Sequence, residues 1–354
     1  MGLHELGYNE RMETFRKENK LEDFEIGRIS QEHKERYIVS TAEGELDAEI
    51  TGNMRFAAQS REDFPAVGDW VALSVFDDLA IIHKIFPRYS TIKRQAVGHF
   101  GEVQIIATNI DFAFLIQTAD RDFNINRLER YLTLCYESKV RPIIVLNKTD
   151  LVDEAEKHDL LERITARIRG VPVVAISNET KSGYETLMEF IEPGKTYCLL
   201  GSSGVGKSTL MNNLSGKTLM KTDEISQSSS KGRHVTSHRE LVLLENGGIL
   251  IDNPGMREVG IADAGSGLEE TFDDIVALAQ NCKFKDCTHT SEIGCAVIEA
   301  VEAGEIEEDA YENFLKLERE KARFESSVAE RRKRDKAFGK MVKNMKKDHK
   351  KMNR

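Results

Sequence analysis

Four short stretches of this chain place residue types at spacings suited to gripping a polyphosphate and a base. Gly201-Ser202-Ser203-Gly204-Val205-Gly206-Lys207-Ser208-Thr209 fits G-x-x-x-x-G-K-[ST], with the apolar run YCLL before it and a helical pattern after it. In such a loop the glycines let main-chain N–H groups turn inward around a phosphate, and the following helix N-terminus adds a favourable dipole. Lys207 is then expected to bridge β- and γ-phosphates and Ser208 to ligate Mg²⁺. A glycine-rich turn without a ligand is the rival reading. It requires both glycines, the lysine and the serine to fall in register by chance, between the right elements.

Asn147-Lys148-Thr149-Asp150 follows the apolar run PIIVL. An aspartate there can accept hydrogen bonds from guanine N1–H and the 2-amino group; adenine lacks that donor pair, so the motif specifies GTP over ATP. Ser177-Asn178, after VVAI, occupies the place of a main-chain contact to the base oxygen, with an ordinary strand-end turn as the equal alternative. Asp252-Asn253-Pro254-Gly255 ends the run ILI, where Asp252 can hold the hydration shell of Mg²⁺ and the Gly255 N–H can sense the γ-phosphate. Thr236, in the polar loop 224–241, is the candidate for a second Mg²⁺ oxygen ligand. Ser237 competes with it, as does a loop that is merely solvated. Lys207 and Thr236 are the expected catalytic side chains.

A second chemistry stands apart. Cys282-x₄-Cys287-x-His289-x₅-Cys295 puts three thiols and an imidazole within 14 residues, the donor set of a closed tetrahedral zinc site. The surrounding NCKFKDCTHT is polar, poor material for burying cysteine unless a metal is present; three unconnected thiols and a surface histidine form the alternative. His234 and His238 are too distant in sequence to be assumed ligands. Cys135 and Cys198 stand in apolar surroundings and read as small core residues, so five cysteines do not make a disulfide framework.

The elements that must position these groups emerge from hydrophobic pattern. VQIIA, FAFLIQT, PIIVLN, VPVVAIS, YCLLG, LVLLE and GILIDN alternate with helical stretches at 125–139, 154–169, 182–191 and 207–214. Such near-continuous apolar strands belong to a sheet covered on both faces, whose strand C-termini form the ligand edge. The base-reading motif precedes the phosphate loop, the reverse of the usual order. A parallel sheet sets strand ends side by side whatever the chain order, so a permuted connection rebuilds the same pocket. It also sends the chain from 252–255 almost directly into the cysteine region.

Upstream, EIGRIS, RYIVST, LDAEIT, DWVALSVF and LAIIHKIF are short β-rich runs, consistent with a small closed barrel such as an OB fold. Gly68 permits a bend before Trp70, the single tryptophan, which reads as a buried anchor rather than a base-stacking platform. The expected division is a polar helical lead-in at 1–22, the barrel at 23–97, the permuted nucleotide domain at 98–262, a helical zinc module at 263–330 and a basic tail at 331–354. Within the module, 267–281 and 295–327 read helical. The fold class is multidomain α/β.

The whole chain of 354 residues carries −10 at pH 7. Its last 24 residues hold twelve Lys or Arg against two Asp, a net +10, so the remaining 330 carry −20. That asymmetry fits a polyanionic partner for the tail; a solvated tail with no partner fits the charge equally well. No apolar run approaches the roughly 20 residues of a membrane span, and the N-terminus lacks the apolar core of a secretory signal. Cytoplasmic residence, no membrane partner and a monomer are expected.

Together the motifs VGDWV, PRYSTIKR (87–94), NKTD, GSSGVGKST, GRHVTSH (232–238), DNPG and the metal ligands resemble the circularly permuted ribosome small-subunit biogenesis GTPases, the RsgA family, also called YjeQ or YloQ. The resemblance runs from about Phe24 to Cys295. It implies a GTPase that binds the immature 30S subunit late in assembly, touches 16S rRNA through barrel and zinc module, and is stimulated by the ribosome. The chain departs from the family at Val235-Thr236-Ser237, where a Thr run is usual, and at Asn253, where Thr is usual. No water-orienting glutamine comes after the aspartate motif, since Met256 succeeds Gly255. Two other readings stand beside an enzyme: a GTP-dependent rRNA-binding module without significant hydrolysis, and a metal carrier coupled to GTP.

Overall fold

A computed structural model describes residues 2–33, 36–77, 79–95, 103–216, 240–252 and 265–326, with Glu330 and Lys333. Thr236, Ser237, His234, His238, Asn253–Met256 and the tail other than Lys333 lie outside the described residues, as does the side chain of Asp252. The backbone forms two compact units, Met1–Lys93 with Ile105–Val259, and Arg94–Gln104 with Gly260–Arg354.

The first unit begins with α1 (Glu10–Glu18), capped by the Asn9 side chain, which accepts from the Arg11 N–H. Its buried residue is Met12, which packs together with Leu6, Tyr8 and Leu21 from the flanking segments against Ile26, Trp70, Ala72 and Phe86. The lead-in therefore packs on the face of Trp70 and Ala72, opposite the face that carries Val71 and Leu73 into the barrel core. Five strands make that barrel: β1 (Glu25–His33), β2 (Arg36–Thr41), β3 (Glu45–Ile50), β4 (Trp70–Phe76) and β5 (Leu79–Ile85), with the short α2 (Gly52–Ala57) between β3 and β4. β1 pairs antiparallel with β2 and β4, β2 with β3, and β4 with β5, while β3 and β5 run parallel. The circuit closes, as an OB barrel requires, and leaves no free edge within it. Trp70 is 1% exposed and meets Tyr8 edge-on at 5.1 Å, so it is an anchor and not a stacking platform.

Two buried polar residues tie the barrel to the root of the second sheet. Asp69 accepts from the Arg88 guanidinium at 2.6 and 2.8 Å and from the Thr108 hydroxyl at 2.7 Å. Arg28 donates to the carbonyls of Leu6, Gly68 and Asn109. Gly68 has φ +96, and a Cβ there would lie 2.2 Å from the Thr108 carbonyl oxygen, so only glycine permits this approach. The VGDW and PRYS motifs are thus structural here, holding barrel and sheet together.

β6 (Thr91–Gln95) and β7 (Val103–Thr108) form a two-stranded ladder. The nucleotide-type sheet then comprises β8 (Phe112–Thr118), β9 (Arg141–Asn147), β10 (Val173–Ala175), β11 (Thr196–Leu200), β12 (Glu240–Leu243) and β13 (Ile249–Asp252), interleaved with α3 (Ile125–Glu137), α4 (Glu154–Arg167), α5 (Tyr184–Glu189) and α6 (Lys207–Ser215). Its order is β10-β9-β8-β11-β13-β12, parallel except for β12. At its far edge Glu240 of β12 pairs with Gln31 of β1, joining sheet and barrel.

Alternation along β8 explains its all-apolar composition. Ala113 and Leu115 share a core with Leu128, Leu132 and Cys135 of α3, whereas Phe112, Phe114 and Ile116 share another with Leu187 of α5 and Leu210, Met211 and Leu214 of α6. The α3 sequence carries its apolar residues three and four apart, and the Asn124 side chain caps it by accepting from the Arg127 N–H at 2.9 Å. Cys135 and Cys198 are fully buried in the first of these cores, and burial pushes both thiols up.

The second unit is helical: α7 (Gly265–Thr271), α8 (Asp273–Ala279), α9 (Ala296–Glu302) and α10 (308–326). Leu268, Phe272, Ile275, Val297, Phe314 and Leu317 form its core. Each helical stretch expected from sequence is broken once, at Phe272 and at 303–307, where Gly304 takes φ +75. The helical period continues across both breaks, which is why the pattern concealed them. Among the described residues, no helix is long and apolar enough to cross a membrane.

Candidate nucleotide site and metal centre

The ends of β8, β9, β10 and β11 converge on the loop Gly201–Gly206 that leads into α6. Lys207 donates to the carbonyls of Gly201 at 2.8 Å and Ser202 at 2.6 Å, so its ammonium is drawn into the curl of the loop. Val205 is buried and anchors the loop in the core below. Gly206, with φ +95, caps α6; a Cβ there would lie 2.4 Å from Asn147 Nδ2. The glycine at this position is demanded by the close approach of Asn147 and Asn178 as much as by the backbone angle of the loop.

Asn147 is the bracket between the two halves. It is 1% exposed; its Nδ2 donates to the Val205 carbonyl at 2.7 Å, and its Oδ1 accepts from the Asn178 N–H at 3.2 Å. Asn178 in turn donates through Nδ2 to the Gly206 carbonyl at 2.8 Å. Thr149 donates to the Ile176 carbonyl at 3.0 Å, and the Ser177 hydroxyl donates to Asp150 at 2.5 Å. Three segments distant in sequence thus form one hydrogen-bonded floor, with the exposed Asp150 carboxylate at one end and Lys207 at the other. Ser203 and Gly204 are exposed, and Ser208 and Thr209 are half-buried at the start of α6.

The backbone of Asp252 ends β13 beside β11. The expectations for its carboxylate, for Gly255 and for Thr236 fall outside the described residues.

Sequence reading passed over one segment that touches this floor. In the connection from β8 to α3, Asp120 pairs with the Lys148 ammonium at 3.2 Å and accepts from the Thr118 hydroxyl at 2.7 Å. Burial works against ionisation of Asp120, but the hydrogen bonds from Thr118, the Asp122 N–H and Lys148 prevail and hold it below its usual range. Arg127, in the first turn of α3, donates to Ser202 Oγ at 3.1 Å. Their signal was positional: TADRD comes directly after a buried strand in the sheet that also carries the other motifs.

In the second unit Cys282, Cys287, His289 and Cys295 point their ligand atoms at one another, all within 4.8 Å. Cys282 Sγ lies 3.8 Å from Cys295 Sγ, and His289 Nδ1 lies 3.5 and 3.4 Å from these two sulfurs. Tetrahedral zinc with bonds of about 2.3 Å to sulfur and about 2.0 Å to nitrogen has edges of about 3.8 and about 3.5 Å, so Cys282, His289 and Cys295 stand at the spacing the ion needs, with Cys287 close enough to serve as the fourth ligand. His289 has φ +57, and its carbonyl accepts from the Tyr311 hydroxyl at 2.6 Å, which fixes the turn that aims the ring.

The thiols are tuned unequally. Burial disfavours ionisation of Cys282, but the N–H groups of Ala296 and Val297 and the neighbouring thiols outweigh it and lower its pKa. Cys287 is pushed up to about 11, by burial first and by its thiol neighbours Cys295 and Cys282. Three adjacent thiolates repel one another unless a cation lies between them. Glu292 closes the 288–292 loop by accepting from the Thr288 hydroxyl and the N–H groups of Thr288, Thr290 and Ser291, which hold its carboxyl well below the usual range.

A mostly parallel sheet whose Gly201–Lys207 loop comes downstream of Asn147-Lys148-Thr149-Asp150 defines a circularly permuted P-loop GTPase. The RsgA GTPase family matches residues 85–262. The small ribosomal subunit biogenesis GTPase RsgA 1 of Bacteroides thetaiotaomicron is 40% identical over 343 residues, 96% of each chain. RsgA 2 of Lactiplantibacillus plantarum is 45% identical over 297 residues, 83% of each. Among solved structures, YjeQ from Thermotoga maritima superposes with a TM-score of 0.62 at 26% identity, covering 83% of this chain and 96% of its own. YloQ, a circularly permuted GTPase, gives 0.60 at 25% identity, covering 87% and 96%. The chain belongs to the RsgA GTPase family.

Proposed function

We propose that this chain hydrolyses GTP on the small (30S) ribosomal subunit and thereby times a late step of its maturation. The observation that carries the reading is the Asn147 amide bound to the Val205 carbonyl at 2.7 Å, which ties the base motif to the phosphate loop. Asn147, Lys148, Thr149, Asp150, Ser177 and Asn178 receive the guanine. The loop from Gly201 through Thr209 receives the phosphates, and Lys207 stabilises charge that develops on the transferred group. Asp252 and Gly255 respond to the γ-phosphate. Mg²⁺, held by Ser208 and Thr236, would neutralise charge between the β- and γ-phosphates.

Cys282, Cys287, His289 and Cys295 hold one structural zinc, which gives the small helical module its shape. We divide the chain as lead-in 1–22, barrel 23–97, permuted GTPase domain 98–262, zinc module 263–330 and basic tail 331–354. Barrel, zinc module and tail are the contacts to 16S rRNA, the tail through its net +10. The protein acts as a monomer in the cytoplasm.

The test is steady-state GTP turnover by the full chain with and without purified small subunits, across a salt series. Low intrinsic turnover that rises with subunits, and rises less as salt increases, supports the reading. No response to subunits overturns the ribosomal part. GTP left intact with subunits bound favours the non-hydrolysing alternative.

A further inference from the structure

The connection from β8 to α3 belongs to neither motif, yet it reaches both ends of the site. At the base end, Lys148 has φ +62, a left-handed conformation unusual for lysine, so its side chain departs from the strand direction. Its ammonium comes to rest 3.2 Å from Asp120 Oδ2. The other carboxylate oxygen of Asp120 accepts from the Thr118 hydroxyl at 2.7 Å and the Asp122 N–H at 3.0 Å, so the carboxylate cannot swing away. At the phosphate end, Arg127 Nη1 lies 3.1 Å from Ser202 Oγ, and the carbonyl of the same Ser202 accepts from Lys207 at 2.6 Å. Two cations therefore converge on one residue of the phosphate loop.

Resting on the nucleotide reading above, we propose that this connection is a positioning strap. Asp120 sets the place of the Lys148 stem beside the base, and Arg127 holds Ser202 when a phosphate draws the Lys207 ammonium away. The two roles have different kinetic signatures. The contacts of the base do not change as phosphate is transferred, so loosening Lys148 removes uniform binding and acts on KM. The phosphate loop meets the charge that develops during transfer, so loosening Ser202 removes transition-state stabilisation and acts on kcat. The short run 121–126 between Asp120 and Arg127 makes the two ends one element, anchored by the Asn124 cap on α3.

The experiment measures GTP turnover, GDP affinity and melting temperature for Asp120→Asn, Arg127→Ala and Arg127→Lys in the full chain. Asp120→Asn is expected to raise KM for GTP and Kd for GDP together, by roughly tenfold, with a much smaller loss at saturation. Arg127→Ala is expected to lower kcat by roughly tenfold with KM nearly unchanged, and Arg127→Lys to recover part of the loss because it keeps the charge. Changes in KM and kcat that scale together with lost melting temperature overturn the strap and leave a structural role. Unchanged kinetics in all three variants overturn it too. A wild-type chain that binds GDP without hydrolysing GTP refutes the enzymatic reading instead; the strap is then judged by whether Asp120→Asn weakens GDP.

Discussion

Asn147 offers the most discriminating perturbation, because its two bonds have opposite polarity. Asn147→Ala strands the Val205 carbonyl and the Asn178 N–H, both of which it meets from a buried position. Leaving a buried polar group unpaired costs about 1–3 kcal/mol, so the pair costs roughly 2–6 kcal/mol. If that falls on the binding-competent arrangement, GDP affinity weakens by at least about 30-fold and by up to roughly 25,000-fold. Asn147→Asp sharpens the test. The isosteric carboxylate can still accept from Asn178, but it turns an oxygen toward the Val205 carbonyl across what is now a 2.7 Å donor–acceptor contact. Two acceptors at that distance repel, so the more conservative-looking variant must be the more damaging one. Titration with a fluorescent GDP analogue, alongside melting curves, reads both effects. Asp behaving like Asn, or Ala within twofold of wild type, would refute the claim that Asn147 joins the two half-sites.

Two further substitutions probe the ends of the account. Asp150→Asn is expected to shift preference from guanosine toward xanthosine nucleotides, because on the proposed reading the carboxylate would pair with the guanine N1–H and 2-amino group; competition binding with both nucleotides measures it, and unchanged discrimination removes the base-reading role. Cys287→Ser is expected to abolish stoichiometric zinc, measured by metal analysis of purified protein, while GTP affinity stays close to wild type; a collapse of GTP affinity would mean that the metal module and the nucleotide site are not independent.

Much of this architecture was legible because strands and ligand loops obey short-range rules. EIGRIS, RYIVST, LDAEIT, DWVALSVF and LAIIHKIF all became barrel strands, since β-rich runs bounded by turn residues have few alternatives. The glycine loop and NKTD were visible because their chemistry demands fixed spacing. The features that stayed hidden depend on contacts remote in sequence. Met12 and Tyr8 are sparse apolar positions in a polar lead-in, and only packing against Trp70 and Phe86 gives them a role. Arg28 looks like a solvated strand charge but is buried, satisfied by carbonyls up to 81 residues away. Asp120 and Arg127 resemble loop charges until Lys148 and Ser202 are brought beside them. The pairing of Gln31 with Glu240, at opposite ends of the first unit's sequence, has no local signal at all.

The central claim is that one pocket holds guanine at Asp150 and phosphate at Lys207, although the chain presents them in inverted order. Calorimetric titration of the full chain with a non-hydrolysable GTP analogue, and with its ATP counterpart, tests this directly. The account predicts one guanine nucleotide per chain and an adenine affinity lower by at least about a hundredfold, since a carboxylate left without its donors on the base discriminates strongly. Equal affinity for the two nucleotides, or two independent sites per chain, would contradict it.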